Sequence, residues 1–103
     1  MTIHKINGTS VAGMKAMKVK LEMETKLSKV VSLLKIEEPN STDLLAVSIL
    51  LTDIIALKPT YVRYRGLYGV TLGLDKESKI TTLTRRFKKG GMDARKLYKY
   101  NNN

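Results

Sequence analysis

Two stretches of this chain place chemistry-bearing side chains at close spacing. The first, "YVRYRGLYG" from Tyr61 to Gly69, holds three of the chain's five tyrosines together with two arginines. Bases stack on such rings for roughly 1–3 kcal/mol each, with little dependence on sequence. Guanidinium groups pair with phosphate in a two-pronged fashion. Taken as an extended strand, the stretch puts Tyr61, Arg63 and Arg65 on one face and Val62 and Tyr64 on the other, with Tyr68 past a glycine. The second, "TRRFKKGGMDARKLYKY", clusters Arg85, Arg86, Lys88 and Lys89 around Phe87 and extends the charge through Arg95, Lys96 and Lys99. Together these residues form the expected nucleic-acid-binding set: tyrosines to stack, cations to pair with phosphates. The plain structural alternative is that the tyrosines cover a core edge and the cations are a solvated face.

The charge of the whole chain favours a polyanionic partner. Nineteen Lys and Arg stand against nine Asp and Glu, for a net charge of +10 over 103 residues. An excess of this kind speaks to partners rather than to fold. It is also unevenly spread. Residues 36–57 hold Glu37, Glu38, Asp43 and Asp53 and no cation, while residues 76–103 hold nine cations against Glu77 and Asp93.

Enzymatic chemistry finds little material. A single histidine, His4, and no cysteine exclude a thiolate or histidine-rich zinc site. Asp43 and Asp53 are ten residues apart, about 15 Å along a helix, too far to act on one bond. Gly90-Gly91 follows a helical pattern and reads as a helix stop, not a phosphate-cradling loop. "RGLYGVTL" departs from the ribonucleoprotein signature, because Leu67 stands where that signature has an aromatic residue. Arg86 and Phe87 likewise stand where a helix-turn-helix wants a small residue. No catalytic activity, metal or cofactor is expected.

The elements that must position these residues read as α+β, mostly α, in one domain over 1–103 with a frayed tail at 101–103. Thr2 to Ile6 fits a short strand. Ala12, Ala16, Val19, Met23, Leu27, Val30 and Leu34 recur at three- and four-residue spacing, which predicts a helix over about 10–36. Strict alternation over 17–25 leaves a strand open there. Met14, Met17 and Leu21 lie opposite the main stripe, as on a helix that is sandwiched or meets a partner. Pro39 breaks the chain, and a second helix follows over about 42–57, apolar on most sides and closed by Lys58-Pro59. Its apolar run is too short and too polar to span a bilayer. The glycines at 66, 69 and 73 among β-branched and aromatic residues predict a short β-ribbon over about 61–73. One or two basic helices end the chain. Asp75 or Ser78 would cap the first, with Ile80, Leu83 and Phe87 inward, and Asp93 would cap the second, over 94–100.

The function expected from the sequence is a small basic nucleic-acid-binding protein without catalytic activity, with RNA or single strands slightly preferred over duplex DNA. The alternative is a protein-binding inhibitor or adaptor of viral or mobile-element accessory type, whose basic face docks on an acidic or nucleoprotein target. A homo-oligomer, most simply a dimer, is expected through the first two helices, in the cytoplasm (the host's, if viral) and without a membrane partner.

Overall fold

The computed structural model describes residues 11–101, with side chains placed through Tyr98. The strand expected at Thr2 to Ile6, His4, the side chains of Lys99 and Tyr100, and the last two residues of the tail lie outside that description. Four helices follow one another: α1 (Val11–Leu34), α2 (Ser41–Tyr68), α3 (Leu74–Lys89) and α4 (Arg95–Asn101).

α1 forms where the apolar stripe demanded it. Ala16, Met23, Leu27, Val30 and Leu34 are all buried, and the alternation over 17–25 yields no strand. A helix wins there because that spacing gathers the apolar residues on one face, and Lys, Glu, Met and Leu are strong helix formers. α2 starts at a capping box. The Asn40 side chain accepts from the Asp43 N–H at 2.8 Å, and the Asp43 carboxylate accepts from the Asn40 N–H at 3.0 Å. The short link between the helices folds α2 back antiparallel to α1, and the Lys26–Asp53 ion pair at 3.1 Å joins them.

The β-ribbon over 61–73 does not form, and no strand occurs among the described residues. Instead α2 runs on through Pro59 to Tyr68. Two facts explain the difference. Tyr61 stands two turns beyond Ile54, so a continued helix delivers its ring to the face already burying Val47, Leu51 and Ile54. Pro59 faces solvent, where water can replace the backbone bond that its missing N–H removes. The tyrosines at 61, 64 and 68 are themselves spaced three and four apart, a helical period. α2 ends where Gly69 turns left-handed at φ 71°, a conformation that costs a side-chain-bearing residue, and its N–H reaches the Arg65 carbonyl at 2.9 Å.

The link 69–73 buries Val70 and Leu72 and sends α3 back along the pair. Gly73, not Asp75 or Ser78, is the N-cap of α3 and makes no side-chain cap bond. The first turn of α3 instead carries Asp75 and Glu77 and its last turn Arg86, Lys88 and Lys89, charges that complement the helix dipole at each end. Lys76 pairs with Glu24 of α1 at 2.7 Å. Ile80, Leu83 and Phe87 enter the core, which α4 closes with Leu97 and Tyr98. The result is a rod of 51 × 21 × 20 Å, whose long axis is close to the ~42 Å that a 28-residue helix spans.

Candidate nucleic-acid interface

The expected binding residues separate into two groups at different ends of α3. At its start, the residues of "YVRYRGLYG" are consumed largely by the fold. Tyr61 is 3% exposed and offers no ring face to a base. Its hydroxyl accepts from the Leu72 N–H at 2.8 Å, donates to the Glu77 carboxylate, and has the Thr71 hydroxyl at 3.4 Å. Arg65 holds both oxygens of Glu77 at 2.9 Å. The Glu77 carboxyl is held below the usual glutamate range: the Tyr61 hydroxyl is the largest cause, burial opposes it, and Arg65 and Lys58 add to the lowering. Tyrosine, glutamate, arginine and the nearby Lys58 are the residue types of an acid–base site, yet here the tyrosine, the carboxylate and the guanidinium serve one another and fasten α3 to α2. Tyr64 and Tyr68 are half-buried neighbours, with ring centroids 5.8 Å apart at 48°. Only Arg63 among the expected residues of this end is both exposed and without an ion pair among the described residues.

The other end differs. Arg85, Arg86, Lys88 and Lys89 are all exposed on the last turns of α3, around the buried Phe87. Gly90 and the left-handed Gly91 and Met92 turn the chain sharply, with the Met92 N–H on the Phe87 carbonyl at 2.9 Å. That turn lays α4 back against α3, so the aliphatic stem of Lys96 passes over Gly90, 3.1 Å from where a β-carbon there would sit. Lys96 thereby joins the α3 cations. Arg95 is exposed but committed to Asp93, which also accepts the Arg95 backbone N–H just ahead of α4, a helix that starts one residue later than the expected Ala94. These bonds lower the Asp93 carboxyl and raise the Arg95 guanidinium. Arg85, Lys88, Lys89 and Lys96 make no ion pair among the described residues.

The two groups are about 16 Å apart along α3, measured from Glu77 to Lys88 at 1.5 Å per residue. The combined stacking-and-pairing surface expected from the sequence is therefore split, with the rings at one end and the free cations at the other. Glu77, the residue that ties up the first group, was not singled out by sequence reasoning. Sixteen residues separate it from Tyr61, and no local pattern links them. Among the described residues no three His, Cys, Asp or Glu side chains gather as a metal site. One helix among them, α2, is long and apolar enough to cross a membrane by length and composition. Comparison with protein-family models, with curated proteins and with solved structures finds no match to this chain.

Proposed function

We propose that the protein is a non-catalytic nucleic-acid-binding protein that grips phosphates with the end of α3 and the start of α4. The observation that carries this reading is the exposed cluster of Arg85, Lys88, Lys89 and Lys96 at the corner between α3 and α4, with no carboxylate paired to them among the described residues. Four cations this close repel one another, and a polyanion relieves that repulsion while releasing its own counterions. The reading carries no preference for single strands, because Tyr61 is inside the protein and the half-buried Tyr64 and Tyr68 lie at the far end of α3 from these cations. The test is fluorescence anisotropy with labelled single-stranded RNA, single-stranded DNA and duplex DNA, each at about 50 and 200 mM salt, the range over which phosphate contacts lose orders of magnitude in affinity. Arg85→Ala with Lys89→Ala should weaken all three ligands alike and flatten the salt dependence by up to about two units of slope. A double variant with unchanged slope removes this corner from the site.

A second reading, docking on an acidic protein, draws on α1. There Met14, Met17 and Leu21 are exposed at 56%, 38% and 57%, and Lys15, Lys18 and Lys29 flank them. A co-purifying acidic protein that survives nuclease treatment and is lost with Leu21→Lys favours it over the first.

A further inference from the structure

α2 has a second apolar side. Leu45, Ile49, Thr52, Ala56 and Pro59 are all exposed and recur at spacings of four, three, four and three residues, which is a coiled-coil seam. Leu45 and Ile49 are 60% and 52% exposed. No charged residue stands on that seam until Arg63. Asp53, beside it, is neutralised by Lys26. The other outward faces differ in kind. α1 surrounds its exposed methionines with Lys15, Lys18 and Lys29, and α3 presents Arg85 and Lys89. On a chain of net charge +10, the α2 seam is the face where two copies meet without pressing cations together.

We propose that this seam is the interface of a homodimer, with α2 of the second copy lying antiparallel across it and the two-fold axis at Thr52. An antiparallel arrangement separates the two Arg63 side chains, which a parallel one would juxtapose. It also sets bulky Ile49 against small Ala56 and Leu45 against Pro59, so large side chains meet small ones. The hydroxyl of Thr52 is already bonded to the Ser48 carbonyl at 2.7 Å and brings no unmet polar group to the axis. The seam from Leu45 to Pro59 is about 21 Å long. One helix pair of that length sits at the low end of stable interfaces, so the dimer dissociates at roughly 1–100 μM. Pairing across α2 stands independently of what α3 binds, and it gives the assembly two copies of the α3 corner.

Sedimentation equilibrium of the nuclease-treated 103-residue chain tests this, over about 5 to 300 μM chain and in about 0.3 M salt to screen the net charge. The expected result is a rise from the 11.6 kDa chain mass to twice that value. Ile49→Lys should weaken the dimer at least tenfold and Leu21→Lys on α1 should leave it unchanged; both positions are exposed, and unaltered circular dichroism confirms that each variant is folded. The chain has no cysteine, so Thr52→Cys introduces a unique thiol that diamide should couple to its copy faster than it couples Ser32→Cys on α1. A monomer at every concentration overturns the proposal. So does a dimer lost with Leu21→Lys but kept with Ile49→Lys, or a Thr52→Cys coupling rate no higher than that of Ser32→Cys. Partition of the protein onto phosphatidylcholine–phosphatidylglycerol vesicles, blocked by Ile49→Lys and with no dimer in solution, also overturns it and assigns the seam to lipid.

Discussion

Replacing Tyr61 by phenylalanine removes one oxygen from the junction of α2, the 69–73 link and α3, and leaves the Leu72 N–H unmet and the Glu77 carboxylate one donor short. The Leu72 N–H is buried and has the Tyr61 hydroxyl at 2.8 Å as its acceptor, so it carries the desolvation cost of an orphaned donor, about 1–3 kcal/mol. The Glu77 carboxylate loses a donor but keeps both contacts to the Arg65 guanidinium. Its share is smaller, since the Arg65 side chain is 45% exposed and water reaches the pair. The phenyl ring itself still fills the core. The expected loss is therefore about 2–3 kcal/mol, or a Tm lower by about 4–8 °C per kcal/mol. The assay is urea unfolding followed by far-ultraviolet circular dichroism, at neutral pH and again in acid. Acid gives a second reading of the same bond. A carboxyl whose folded-state pKa is depressed adds stability above its unfolded pKa and forfeits it as pH falls through the folded value. Glu77 is such a group, with Tyr61 the largest cause. The gap between wild type and Tyr61→Phe should hold above about pH 5 and narrow below the ordinary glutamate value of about 4.3. The remainder, due to the Leu72 N–H, does not titrate and should persist. A loss under about 0.5 kcal/mol, or a gap indifferent to acid, refutes the claim that this hydroxyl fastens α3 to α2.

The same substitution at Tyr98 should act in the opposite sense. Its hydroxyl is buried with no hydrogen-bond partner among the described residues, and burial, with the charge of Asp43 second, pushes its pKa up. Tyr98→Phe should be neutral or stabilising by up to about 1 kcal/mol in the same urea assay, and a loss above that value means the hydroxyl is bonded after all. Pro59→Ala restores a backbone donor inside an exposed stretch of α2. It should stabilise by about 1–2 kcal/mol, the helix-interior penalty of proline less the entropy that alanine returns to the unfolded chain. A drop in thermal stability would show instead that the proline at 59 is needed to seat Tyr61.

The helical core was legible because its signal is local. The stripe from Ala16 to Leu34 repeats at 3.6 residues, and Ile80, Leu83 and Phe87 face inward by spacing alone. Met14 and Leu21 were placed opposite the stripe by the same arithmetic and are exposed there. The failure came where local rules conflict. Pro59 and the glycines at 66, 69 and 73 are breaker signals, whereas Tyr61, Tyr64 and Tyr68 keep helical spacing. Which signal wins depends on whether continuing the helix buries something, and that depends on α1 and α3 standing where they do.

The site divides along the same line. Sequence by itself determined that the chain is strongly basic, that its last third holds the densest cations, and that these residues lie on a helix and its following turn. Only the tertiary structure decided which charges remain available. Glu77 claims Arg65 and Tyr61 across twelve and sixteen residues, and Glu24 claims Lys76 across fifty-two. Composition counts charges, but the fold brings distant carboxylates to some cations and leaves Arg85, Lys88, Lys89 and Lys96 facing water. The physical reason is range: an ion pair needs contact distance, and contact between residues far apart in the chain exists only once the helices have packed.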